Sequence, residues 1–158
     1  MTHSRIVLIA HTPLASAFKA CALHVFGEQA ADVLVVDVQP DHDVATWHAQ
    51  AAELLQATAE PVLLLTDVFG ATPFNIAQNW CDWCAQNSIA TRVVSGLNVP
   101  MLLRAITYRE EPFESWVERV QSGGANGIMV VSPKAAPTGG WQQAVRNSYD
   151  PDHNNHHQ

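Results

Sequence analysis

The sequence predicts an α/β domain, doubly wound in three layers around a mainly parallel sheet. Three observations carry that prediction. Short apolar runs alternate with helix-length amphipathic segments almost without a break. Several of the runs are apolar at every position, as strands are when helices cover both faces of a sheet. The joints between them hold Pro, Gly, Asn and Thr, residues that end strands and begin helices. No internal repeat interrupts the alternation.

Taken in order, Ile6 to Ala10 is an apolar run followed by turn residues and reads as a buried strand. Leu14 to Phe26 carries apolar residues at helical spacing, and Gly27 stops it. Val33 to Val38 is a second strand. Asp43 suits the cap of a helix running to about Thr58, with Val44, Trp47, Ala51 and Leu55 on one face. Pro61 opens a third strand, Val62 to Thr66. Pro73 begins a helix that reaches Asn87. Thr91 to Ser95 is a fourth strand, and a helix follows Pro100. Phe113 to Gln121 is another helix, ended by Gly123-Gly124, and Ile128 to Val131 is a last strand. Beyond Pro133 the composition turns to Ala, Pro and Gly, then to polar residues with three His. The expected division is a domain over residues 1–133 and a flexible Pro/Gly/His-containing tail over 134–158.

Composition excludes several classes. The chain has 158 residues, enough for one real core plus a tail. No apolar run approaches the ~20 residues needed to cross a bilayer. The stretch from Met1 to Ala10 is too brief for a signal peptide and lacks a cleavage site, so a cytoplasmic location is expected. The formal net charge is −7, and the eight Lys and Arg are scattered. That balance argues against nucleic acid and against an anionic membrane surface as partners. Three cysteines without a secretion signal suggest reduced thiols. Cys81-Asp82-Trp83-Cys84 has the C-x-x-C spacing, but no second pair completes a zinc site, and mid-helix packing is the simpler reading. No metal and no cofactor are expected.

Three segments fall at the C-terminal ends of the predicted strands, where such folds bind ligands. They are His11-Thr12-Pro13, Asp67-Val68-Phe69-Gly70-Ala71-Thr72-Pro73-Phe74-Asn75 and Gly96-Leu97-Asn98-Val99-Pro100-Met101. Each puts a proline where a helix begins, with Thr12 and Thr72 as expected N-caps and Asn98 as a cap or turn residue. Three helix N-termini on one sheet edge would offer free N–H groups and partial positive charge to an anion. Gly70 permits a positive φ or a close backbone approach. His11 and Asp67 are the titratable residues of these loops. A carboxylate that takes Nδ1–H of an imidazole leaves Nε2 as an oriented lone pair. The mechanistic expectation is that Asp67 holds His11, that Nε2 attacks a phosphorus, and that the adjoining N–H groups with the Thr72 hydroxyl hold the phosphoryl oxygens.

The two longer loops resemble the signatures of the mannose-class (mannose/sorbose-type) IIA components of the bacterial phosphoenolpyruvate:sugar phosphotransferase system. His11 falls where that family has its phosphohistidine, and the resemblance covers residues 5 to 133. It implies that a histidine-containing phosphocarrier protein phosphorylates His11 and that the group passes to a IIB component. It implies a homodimer that exchanges the last strand. It also makes Asp67 the orienting carboxylate and places Thr12, Gly70, Ala71, Thr72 and Asn98, with the backbone around Leu97, about the phosphoryl group. The sequence departs from the pattern at Thr12, where the family has Gly, and at Gly70-Ala71-Thr72, where it has Gly-Gly-Ser. No IIB domain follows, so a free-standing IIA acting on a separate IIB polypeptide is expected.

Plainer readings stand beside these. Asp67 suits a turn that bonds its own backbone, and Thr72 and Asn98 suit plain caps. His3, His24, His42 and His48 read as structural or exposed residues, and His153, His156 and His157 as part of a solvated tail. Phe69 and Met101 suit either the site rim or the core. Glu110, Glu111, Glu114 and Glu118 read as a solvated face. Three other functions compete: a stand-alone regulatory phosphoprotein whose His11 state controls binding to another protein, a flavodoxin-like cofactor domain, and a His-Asp hydrolase. The last lacks a Gly-x-Ser-x-Gly turn.

Overall fold

The runs richest in Val, Ile and Leu form the strands of a four-stranded sheet. They are β1 (Arg5–His11), β2 (Leu34–Val38), β3 (Val62–Thr66) and β4 (Thr91–Ser95). The computed structural model describes residues 3–40, 44–55 and 59–134. All pairings are parallel and the strand order is β2-β1-β3-β4. Parallel neighbours require crossover connections, and helices supply them. These are α1 (Leu14–Phe26), α2 (Val44–Leu55) and α3 (Thr72–Gln86), while α4 (Val99–Thr107) and α5 (Phe113–Asn126) follow β4. The predicted Asp43 cap and the end of its helix near Thr58 fall outside the described residues.

Strand side chains alternate between two cores, which makes the three layers. Ile6, Leu8, Ala10, Leu63 and Leu65 pack with Ala15, Ala22, Met101, Leu102, Ala105, Trp116 and Val120, from α1, α4 and α5. Val7, Ile9, Val62 and Leu64 pack with Trp47, Ala51, Leu55, Ile76, Ala77, Trp80 and Cys84, from α2 and α3. Both fully buried tryptophans find acceptors for their indole N–H, Trp80 on Trp47 O (3.0 Å) and Trp116 on Ala105 O (2.9 Å). Burial pushes the Cys81 and Cys84 thiols up, so this pair belongs to the packing of α3.

The structure departs from the sequence reading in four places. Helix α5 runs through Gly123-Gly124 to Asn126. The two glycines are there for close approach: a Cβ on Gly124 would lie 2.6 Å from Met101 Cε, and one on Gly123 would lie 2.4 Å from Arg104 Cγ. Packing against α4 therefore outweighs their poor helix propensity. Second, Ile128 to Val131 form no strand. Residues 129–134 belong to a second unit by contact, and among them Val130 is 96% exposed. An apolar run signals fitness for a sheet but not which neighbour will pair with it. Third, the predicted solvated face of Glu110, Glu111, Glu114 and Glu118 holds except at Glu111, which is half-buried beside Arg119 (2.9 Å). Fourth, Thr12 and Thr72 are not N-caps. Pro13 occupies that position for α1 and Ala71 for α3, neither with a side-chain cap bond.

Candidate functional site

The chain runs outward from β1 to β2, then returns across β1 to β3. The order of the strands thus reverses between β1 and β3, and their C-terminal ends open a crevice at that point. His11 is the last residue of β1 and Asp67 directly follows β3. Register brings Ile9 level with Thr66, so the two side chains emerge at neighbouring heights.

They meet. His11 Nδ1 lies 2.7 Å from Asp67 Oδ2, and the His11 backbone N–H donates to the same oxygen at 3.0 Å. The Val68 N–H donates to Asp67 Oδ1 at 2.8 Å. The Asp67 side chain is 8% exposed and the imidazole 50%. Burial alone would raise the Asp67 pKa. The bonds from the His11 N–H, the imidazole and the Val68 N–H outweigh it and hold the carboxyl below its ordinary 3.8. Asp67 is therefore a carboxylate at neutral pH and only accepts hydrogen bonds, so Nδ1 carries the proton of the neutral ring. Nε2 is left as the lone pair, the form of histidine that acts as nucleophile or base.

The loop after Asp67 leads into the first turn of α3. Gly70 has φ +78°, a conformation that side chains disfavour. Ala71 N–H turns back to Val68 O (3.3 Å), and Asn75 N–H bonds Ala71 O (3.0 Å). Among the described residues, neither Thr72 N–H nor Phe74 N–H has a protein acceptor. The N-terminus of α3 thus keeps donors and partial positive charge available at this edge.

The other predicted residues are tied elsewhere. Asn98 is the N-cap of α4: its Oδ1 accepts the Met101 N–H (2.9 Å) while its Nδ2 donates to Gly124 O (3.0 Å). Gly96 and Leu97 N–H both donate to Thr66 O, at 3.0 and 2.9 Å. Thr12 donates its N–H to Val38 O (3.2 Å), and its hydroxyl accepts from Gln39 Nε2 (3.2 Å). Among the described residues, Thr12, Gly70, Ala71, Thr72 and Asn98 make no hydrogen bond to His11 or Asp67. They share the edge, and among the described residues the hydrogen-bonded pair of the set is His11 with Asp67. Phe69 lies on the rim, 77% exposed with its ring against Phe74, whereas Met101 is buried.

Sequence reading missed Asp37. This residue of β2 bonds the Ser16 N–H through Oδ1 (3.2 Å) and the Ser16 hydroxyl through Oδ2. A lone carboxylate near the end of the otherwise apolar Leu34–Val38 was the available signal. His42 and the tail histidines lie outside the described residues. Among the described residues, no group of three or more His, Cys, Asp or Glu is placed to hold a metal ion. No described helix is long and apolar enough to cross a membrane.

Known proteins resemble the chain in sequence and in fold. The chain is 28% identical over 154 residues to the PTS system mannose-specific EIIAB component of Escherichia coli (strain K12), a match covering 84% of this chain and 46% of that protein. The chain therefore spans about half the length of the curated relatives it matches. The fold matches the mannose/sorbose specific IIA subunit of the phosphotransferase system from Enterococcus faecalis at TM-score 0.74 and 24% identity, covering 85% of this chain and 99% of that one. It also matches the phosphotransferase system component EIIA from Streptococcus agalactiae at TM-score 0.71 and 22% identity, covering 80% and 96%. The family model EIIA-man, described as the PTS system fructose IIA component, matches residues 5–121, and the chain belongs to that family.

Proposed function

We propose that this protein is a phosphoryl carrier of the phosphoenolpyruvate-dependent sugar phosphotransferase system, working through a phosphohistidine at His11. The observation that carries the reading is the 2.7 Å contact between His11 Nδ1 and the Asp67 carboxylate at the crevice between β1 and β3. Nε2 attacks the phosphorus of a phosphohistidine on the histidine-containing phosphocarrier protein. A new N–P bond forms, and the donor's N–P bond breaks with its electron pair returning to the donor imidazole. Asp67 stabilises the positive charge that grows on the His11 ring. The backbone N–H groups of Thr72 and Phe74 and the Thr72 hydroxyl face the phosphoryl oxygens, with Gly70 and Ala71 shaping the turn and Thr12 and Asn98 the flanking loops. A IIB component then takes the group from Nε2 by the reverse geometry.

The site works in the cytoplasm, where its donor is made. The protein acts as a homodimer in which Ile128–Val131 pairs with the partner's sheet. The support for this is an exposed apolar run beside Ile128, 77% exposed, in a chain whose β4 is an end strand of its sheet.

The test is incubation with phosphoenolpyruvate and the two general phosphotransferase proteins, followed by assay for an acid-labile adduct. Wild-type protein is expected to label, and His11→Ala to lose all labelling while keeping its circular dichroism spectrum. Labelling of His11→Ala at the normal rate sinks the proposal. Chasing the label with a IIB component separates a carrier, which loses it, from a regulatory phosphoprotein, which keeps it.

A further inference from the structure

We propose that Asp37 is a positioning residue for His11, acting through Ser16. The segment between His11 and α1 is short: only Thr12 and Pro13 separate the histidine from Leu14. Whatever fixes that segment fixes the direction in which the His11 ring leaves the strand. Three contacts from the end of β2 grip it on both sides of Pro13. Val38 O takes the Thr12 N–H at 3.2 Å, and Gln39 Nε2 reaches the Thr12 hydroxyl at 3.2 Å. On the far side, Asp37 holds Ser16 by both its backbone N–H (3.2 Å) and its hydroxyl.

The Asp37–Ser16 contact is the charged one of the three. A carboxylate at the first turn of a helix is held by the N–H groups and by the partial positive charge there. It stands in for the side-chain cap that α1 lacks locally. Asp37 pairs in register with Ala10, and Val38 with His11. The strand that anchors the clamp is thus hydrogen-bonded to the strand that carries the histidine. Asp67 orients the ring through Nδ1, and Asp37 fixes the backbone from which the ring projects. Loss of the clamp lets the loop shift and the Nδ1–Asp67 bond loosen, although neither His11 nor Asp67 has changed.

The labelling half of the test rests on the proposed phosphoryl-carrier reading, and the other half does not. The full chain is prepared with ¹⁵N-labelled histidine and its imidazole resonances are recorded at neutral pH. Wild type is expected to show His11 as one tautomer, with Nδ1 protonated and Nε2 bare. Asp37→Ala is expected to show averaged tautomer signals and about tenfold slower labelling by the phosphoenolpyruvate relay, since small misplacements of a reacting group cost rates of this order. Asp37→Asn still offers an oxygen to the Ser16 N–H and is expected to restore the single tautomer and most of the rate.

A folded Asp37→Ala with a wild-type imidazole spectrum overturns the proposal, as does Asp37→Asn failing as badly as Asp37→Ala. If Asp37→Ala does not fold, Ser16→Ala decides, because it deletes only the hydroxyl contact. Averaged His11 signals in that variant support the clamp, and an unchanged spectrum overturns it. A wild type that never labels would defeat the carrier reading, while the imidazole spectra still judge Asp37.

Discussion

Helices α1 and α3 each start at a Thr-Pro pair at the same edge of the sheet, yet their N-termini are used differently. At α1 the helix begins after Pro13, and its first turn is closed by the Asp37 carboxylate on Ser16. At α3 the helix begins at Thr72, and the N–H groups of Thr72 and Phe74 have no acceptor among the described residues. The same local sequence thus makes one end structural and leaves the other receptive. The difference comes from what the neighbouring strand supplies. β2 brings a carboxylate toward α1, whereas the carboxylate beside α3 is Asp67, already engaged by His11 and Val68. An incoming anion meets a charge of its own sign at α1 and open donors at α3.

The largest effect expected from breaking this comparison is on Asp67. Asp67→Ala frees the His11 tautomer and should slow phosphorylation by about 100-fold or more with the fold retained, since losing a histidine's orienting carboxylate costs up to about 10⁴ elsewhere. An unchanged labelling rate would show that the contact orients nothing.

The next effect compares the two threonines directly. Thr72→Ala should slow labelling by about tenfold, the scale of a lost hydrogen bond to a charged group. It should change stability by less than about 0.5 kcal/mol, because its hydroxyl caps nothing. Thr12→Ala should leave the labelling rate within about twofold, its hydroxyl being tied only to Gln39 by a neutral bond worth about 1 kcal/mol or less. Parallel labelling time courses and thermal melts of the two variants check both statements. Equal rates for the pair would abolish the distinction between the two helix ends.

The smallest effect is on acid stability. The Asp67 carboxyl is held below 3.8 in the folded protein and returns to that value on unfolding. The unfolded chain therefore binds the proton more readily, and the contribution of Asp67 to stability is complete above 3.8 and fades as pH falls through the lower folded value. Asp67→Asn should flatten the melting-temperature profile only in that acid range. A profile parallel to wild type below 3.8 would contradict the three bonds assigned to this carboxylate.

How much was legible in the sequence depended on whether the signal was local. Ile6–Ala10 and Val62–Thr66 were readable as strands because they are apolar on both faces, and the helix at Leu14–Phe26 was readable because its apolar residues recur at helical spacing. Which strands neighbour one another was not legible, because right-handed crossovers limit the possible orders without choosing one. Gly123-Gly124 misled because glycine stops a helix in isolation, while here Met101 and Arg104 fill the space that a side chain would need. Ile128–Val131 carries strand character, but no strand of this chain's own sheet pairs with it, because pairing depends on a neighbour that composition does not name. Thr12 looked like a cap because caps are usually local, yet the first turn of α1 is closed by a residue 21 positions away. Met101 was ambiguous by type alone, and its burial against α5 resolves it.

The sequence by itself determined the three-layer α/β class and put His11 and Asp67, as titratable residues, in loops at the C-terminal ends of strands. Alternating periodicity, proline placement and residue type are properties of short stretches, and they survive without knowledge of the fold. Only the tertiary structure decided that His11 Nδ1 faces Asp67 at 2.7 Å, that Asp37 closes α1, and that α3 is left open. Those contacts join residues 21 and 56 positions apart. Such pairs are set by strand order and register, which depend on how the whole chain buries its two apolar faces and not on any segment alone.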